Sequence, residues 1–146
     1  MIPIAKPLLG SEEKQVVNEV IDSGMIAYGP KTKEFEQEFA DYVGVKHAVA
    51  TPSGTTALHL GLLSLGIDAG DEVILPSFSF IASANAVLFC GAKPVFCDVD
   101  VDSFNIDPEK VEKLISDRTK AIMPVHLYGQ SADMSPLQQI ADDNNL

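Results

Sequence analysis

The run Ser53-Gly54-Thr55-Thr56 stands where a predicted strand gives way to a predicted helix. The first N–H groups of a helix lack backbone partners and lie at the positive end of its dipole, so a phosphate can bind there. Gly54 lets a ligand approach the backbone closely, and the three hydroxyl groups add donors. From these residues alone, phosphate binding and simple N-capping by Ser53 are equally favoured interpretations.

A second candidate segment, residues 76–85, follows the next predicted strand and contains Phe78 and Phe80. Ligands of parallel sheets bind beyond the carboxyl ends of the strands, where an aromatic ring can stack on a flat heterocycle. We predict that Phe80 faces such a site and that Phe78 belongs to the core.

Four acidic residues partly match the spacing of a calcium-binding loop: Asp98, Asp100, Asp102 and Glu109. Ser103 stands where that pattern requires glycine, and Pro108 interrupts it. We therefore interpret the segment as a solvated turn. The three histidines are widely separated, which favours local hydrogen bonding over a shared metal site.

The elements that position these residues alternate after Val45. Short apolar runs predict strands at 47–51, 72–75, 94–97 and 120–124. Helices are predicted at 55–65, 82–89, 108–115 and 136–142, the last two capped by Asp107 and Ser135 before a proline. This alternation predicts an α/β fold: a three-layer, largely parallel sheet with helices on both faces.

Residues 1–44 have a different pattern. We predict an extended arm with two prolines and two helices, which start at Ser11 and near Thr32 and end at Gly24 and Gly44. An apolar loop at 25–30 joins the helices. Residues 45–146 are predicted to be the first part of an α/β domain that is incomplete, because the alternation stops on a helix.

Composition excludes several classes of protein. The 146 residues carry a net charge of −11, which disfavours nucleic acid as a partner. No apolar run reaches the ~18 residues of a membrane helix, and the N-terminus has no secretory pattern. Cys90 and Cys97 match no redox or metal motif, so we expect buried, reduced thiols in a cytoplasmic protein.

The ordered motifs of the chain resemble those of the DegT-type sugar-nucleotide aminotransferases, which are fold-type-I enzymes dependent on pyridoxal phosphate (PLP). The matching segments are 3–7, 23–25, 35–44, 53–58, 70–74, 91–96 and 126–130. The resemblance implies transfer of an amino group from an amino acid, commonly glutamate, to a nucleotide-linked keto-sugar. Such enzymes are homodimers that supply amino sugars for polysaccharides.

The same resemblance implies roles for individual residues. The PLP phosphate would be held by Gly54 and Thr55, and Phe80 would stack on the pyridine ring. Ser53, Ser83 and Gln130 would line the site. Tyr28 would belong to the loop that approaches the substrate, in the same or the neighbouring subunit.

Two family features match no position in this sequence: an Asp-x-x-Gln motif that serves the pyridine nitrogen, and the catalytic lysine. The nine lysines present are expected to be solvated, and the chain alone is expected to be an inactive N-terminal portion. Two alternatives stay open. A PLP-dependent sugar dehydratase has the same scaffold with histidine in place of that lysine, and a non-catalytic α/β domain could bind a phosphate ligand or a partner chain.

Overall fold

The computed structural model describes residues 5–146, so the first four residues of the predicted arm lie outside the described residues. The chain forms two compact units, Met1–Ala50 and Thr51–Leu146. The units divide later in the sequence than the predicted division between residues 44 and 45.

The first unit contains helices α1 (Ser11–Ser23) and α2 (Pro30–Val43), which end at Gly24 and Gly44 in left-handed conformations. The predicted cap at Ser11 was wrong, because the N-cap is Gly10, whose N–H donates to the Glu13 carboxylate at 2.6 Å. Helix α2 starts before Thr32 because proline suits the first helical position, where no N–H is needed.

The strand predicted at 47–51 is absent, since these residues have no regular secondary structure. A strand requires a neighbouring ladder for its N–H groups. Here the Ala50 N–H instead donates to a Glu36 carboxylate oxygen at 2.8 Å. A side chain of α2 therefore holds this segment at Ala50.

The second unit contains a parallel sheet of three strands in the order β2-β1-β3. The strands are β1 (Glu72–Pro76), β2 (Lys93–Cys97) and β3 (Thr119–Ile122). The helices are α3 (Gly54–Ser64), α4 (Ala82–Phe89), α5 (Pro108–Glu112) and α6 (Met134–Asn144). A short 3-10 turn, Leu127–Gly129, follows β3.

Side chains of the central strand alternate between two cores, one on each face of the sheet. Val73 packs in a cluster with Leu62 of α3 and Val87 of α4. Ile74, the next residue, packs in a second cluster that contains residues of α5 and α6. Helices therefore cover both faces, which confirms the predicted three-layer α/β fold.

The boundaries of α5 and α6 differ from the predicted ones by two or more residues, whereas α3 is shifted by one residue. Asp107 caps α5 as predicted, since its carboxylate accepts from the Glu109 N–H at 3.0 Å, but α5 ends at Glu112. Helix α6 begins at Met134 with Asp133 as its N-cap, so the predicted cap at Ser135 was wrong. Proline is accommodated within this first turn because its N–H groups have no helical partner anyway.

Glu72 joins all three strands at the amino edge of the sheet. Its side chain is 5% exposed; it accepts from Ser116 at 2.7 Å and pairs with Lys93 at 3.0 Å and Arg118 at 2.8 Å. These hydrogen bonds, that from Ser116 foremost, lower the pKa of Glu72 to about 2. The carboxylate thus stays ionised inside the fold because Ser116, Lys93 and Arg118 all donate to it.

Candidate functional site

Ser53 caps α3 and leaves two N–H groups beside it free. Its hydroxyl accepts from the Thr56 N–H at 3.2 Å and lies 3.0 Å from the Thr56 hydroxyl. Among the described residues, no acceptor meets the N–H groups of Gly54 and Thr55. Capping and anion binding therefore use different N–H groups, and the two interpretations of this turn are compatible.

The space in front of this turn is open. A Cβ atom placed on Gly54 would meet nothing within 4 Å, Ser53 is exposed and Thr55 is half-buried. The two free N–H groups at the positive end of an 11-residue helix can hold a phosphate group. The residues present fit an anionic ligand.

The last turn of α3 lies near the first half of β1, because Leu62 packs in one cluster with Val73 of β1 and Val87 in the last turn of α4. The helix rises ~16 Å and the strand ~17 Å, so the two elements are nearly matched in length. The first turn of α3 therefore lies toward the carboxyl edge of the sheet, where ligands of parallel sheets bind.

The turn after β1 carries Phe80 and Ser83. Phe80 is 76% exposed, whereas Ser83 is buried in the first turn of α4 and its N–H donates to the Phe80 carbonyl at 3.1 Å. Phe78 is half-exposed and its ring centroid lies 6.0 Å from that of Phe104, so its prediction as a core residue was wrong. The large exposed face of Phe80 is available to a flat ligand.

Gln130 lies in the loop after β3 and its side chain is exposed. Strands β1 and β3 are adjacent and parallel, so the loops that bear Phe80 and Gln130 leave the same edge of the sheet. The backbone carbonyl of Gln130 accepts from Asn105 at 3.1 Å. Sequence reasoning missed Asn105, because its partners lie about 25 residues away and no local pattern indicates them.

Tyr28 belongs to the first unit. Its hydroxyl donates to Glu36 at 2.6 Å, and this bond raises the pKa of Tyr28 and lowers that of Glu36. Glu36 also binds the Ala50 N–H, so one carboxylate holds both the 25–30 loop and the segment after α2.

The acidic turn after β2 is explained by local hydrogen bonds. Asp100 accepts from the N–H groups of Asp102 and Ser103, which lowers its pKa, and Asp107 caps α5. The part of the chain that the structure describes contains no cluster of three acidic, histidine or cysteine side chains suited to a metal.

The lysines and cysteines have clear environments. Three lysines are paired while still exposed, which refines the expectation of simple solvation: Lys31 with Glu34, Lys93 with Glu72 and Lys110 with Asp107.

Cys90 is half-buried and Cys97 is buried, and burial raises the pKa of both free thiols. Within residues 5–146, every helix is too short or too polar to cross a membrane.

Residues 7–146 match the model of the DegT/DnrJ/EryC1/StrS aminotransferase family. The chain is similar to a GDP-perosamine synthase of Caulobacter vibrioides, with 54% identity over 99% of this chain and 39% of the relative. It is 48% identical to the spore coat polysaccharide biosynthesis protein SpsC of Bacillus subtilis, over 99% of this chain and 37% of that protein. Among solved structures, ntda of Bacillus subtilis with bound cofactor PMP has a TM-score of 0.90 at 42% identity, over 95% of this chain and 33% of that one. The chain thus spans about two fifths of the length of these curated relatives.

Proposed function

The chain belongs to the DegT/DnrJ/EryC1/StrS aminotransferase family. We propose that it is the part of a PLP-dependent aminotransferase that binds the phosphate and one face of the cofactor ring. The amino donor is an amino acid, commonly glutamate, and the acceptor is a nucleotide-linked keto-sugar. A relative named for a GDP-linked sugar and another named for polysaccharide biosynthesis support this substrate class.

The observation that carries this proposal is the open start of α3, where the N–H groups of Gly54 and Thr55 have no acceptor among the described residues. Gly54 and Thr55 donate their N–H groups to the cofactor phosphate, while Ser53 holds the turn in shape. A related structure with bound PMP supports this assignment of the ligand. When bound, PLP supplies the electron-withdrawing ring on which amino groups are exchanged.

The carboxyl-edge loops serve the ring end of the cofactor. Phe80 offers its exposed face for stacking and excludes water from that side. Ser83 and Gln130 line the site from the loops after β1 and β3. The acidic partner of the ring nitrogen and the catalytic lysine lie outside these 146 residues, in agreement with the share of the relatives that the chain spans.

The complete protein works as a homodimer in the cytoplasm. Met25 and Ile26 are 52% and 79% exposed on the loop that also carries Tyr28, and adjacent exposed apolar side chains support the proposal that this loop is covered by another subunit. Tyr28 then approaches the substrate of its own or the neighbouring subunit. The free thiols of Cys90 and Cys97 fit a reducing compartment.

The test is to supply the complete protein with PLP, L-glutamate and a GDP-linked 4-keto-sugar. We expect retained PLP, formation of 2-oxoglutarate and an amino sugar in equal amounts. A sugar that loses a hydroxyl group without gaining nitrogen would indicate the dehydratase instead. Failure to retain PLP would overturn the proposal and favour a non-catalytic domain.

A further inference from the structure

Asn105 is a buried amide whose side chain bonds to three backbone groups of a distant loop. It is 3% exposed and lies after β2. Its Nδ2 donates to the carbonyls of Gln130 at 3.1 Å and Ser131 at 3.2 Å, and its Oδ1 accepts from the Leu127 N–H at 3.1 Å. Both donors and the acceptor of the amide are therefore used to hold one loop.

The two segments that Asn105 joins each contain a bulky residue in the left-handed region. Phe104 has φ 58° and Tyr128 has φ 51°. Aromatic residues rarely adopt this conformation, and it persists only where surrounding contacts enforce it. The Asn105 amide provides such contacts between the segment that contains Phe104 and the segment that contains Tyr128.

The loop after β1 contacts Phe104, the residue next to Asn105. The Phe104 ring lies 6.0 Å from that of Phe78, in the turn that leads from β1 to Phe80. The loops after β1, β2 and β3 are thus connected through Phe104 and Asn105. Two of these loops carry Phe80 and Gln130, which the proposed function assigns to the cofactor site.

We propose that Asn105 is a positioning residue for the cofactor. The inference rests on the proposed function and deepens it. By fixing the Gln130 backbone in the folded protein, the amide orders the loop before the ligand arrives, so that binding does not bear that entropic cost. Asn105 acts through Gln130 and does not itself touch PLP.

Asn105→Asp tests this in the complete protein, because the variant preserves the shape and the acceptor for Leu127. It replaces the two donated hydrogen bonds by a carboxylate facing two carbonyls. We expect PLP affinity to fall about tenfold and the absorbance and circular dichroism of the bound cofactor to shift. Asn105→Ser removes the amide without adding a charge; it should also lower PLP affinity, and it serves as the test if the Asp variant fails to fold.

A double-mutant cycle separates positioning from general destabilisation. In a Gln130→Ala background, Asn105→Asp should change PLP affinity by less than about twofold, since the group it positions is gone. Thr119→Val is the matched control: it removes a buried hydroxyl that accepts from Ser116 at the amino edge. It should lower the melting temperature of the PLP-free protein and leave PLP affinity unchanged.

The outcomes distinguish the two proposals. A folded Asn105 variant that binds PLP as tightly as the wild type, or loses the same affinity with and without Gln130, overturns the positioning role alone. A wild-type protein that does not bind PLP overturns the proposed function and this inference together.

Discussion

Gly54→Asp should separate cofactor binding from folding. An acidic residue in the first turn of a helix interacts favourably with the dipole, by about 0.3–1 kcal/mol, and a Cβ at Gly54 meets nothing within 4 Å. The stability of the PLP-free protein should therefore stay the same or rise slightly. The new carboxylate, however, lies where the phosphate would bind.

The loss of affinity can be estimated from Coulomb's law. A charge of about −2 on the phosphate, at about 5 Å from the carboxylate in a water-like medium, is repelled by about 1.7 kcal/mol. That free energy corresponds to about fifteenfold weaker PLP binding, and a less polar site would increase it.

PLP affinity is measured by equilibrium dialysis with the complete protein. The stability of the PLP-free protein is measured separately by thermal unfolding. Ser135→Asp, in the first turn of α6, is the matched control that adds the same charge at another helix start. It should leave PLP affinity unchanged. If Gly54→Asp binds PLP as tightly as the wild type, the phosphate does not bind at the start of α3.

The remaining predictions concern the fold. Glu72 has a lowered pKa of about 2, so its contribution to stability is present above its unfolded pKa near 4.5 and is lost as pH falls toward 2. Glu72→Gln should destabilise the protein at pH 7. In urea unfolding at a series of pH values, the variant should also lose less stability than the wild type between pH 4.5 and pH 2. Leu137→Ala should cost about 2–4 kcal/mol in urea unfolding because Leu137 is 3% exposed, whereas Met134→Ala on the same helix should cost much less. Cys97 should resist a thiol reagent until the protein unfolds, and Cys90 should react earlier because it is only half-buried; equal rates in the folded protein would contradict the packing of Cys97.

Local patterns in the sequence predicted most of the second unit. The boundaries of α4, the cap of α5 at Asp107 and the three observed strands follow from short apolar runs and turn residues, which are properties of neighbouring positions. The segment 47–51 has the same apolar pattern but no strand, because strand formation depends on a partner that composition does not specify.

The candidate site was only partly predictable for the same reason. Ser53, Gly54 and Thr55 form a contiguous signal at a helix start. Asn105 and Glu72 gain their importance from partners 21 to 46 residues away. Asn105 sits in an acidic turn that suggested only solvation, and its environment becomes evident only once the sheet brings the strand ends together.

The stabilising charge cluster and the candidate ligand site lie at opposite edges of the sheet. At the amino edge, the buried Glu72 carboxylate with Ser116, Lys93 and Arg118 closes the fold without facing a ligand. Changes at the carboxyl edge therefore need not disturb the buried charges at the amino edge. Positions in the carboxyl-edge loops other than Asn105 and the proposed cofactor-site residues can therefore be varied in directed evolution, and the ion pairs of Glu72 at the opposite edge should keep the altered proteins folded for screening.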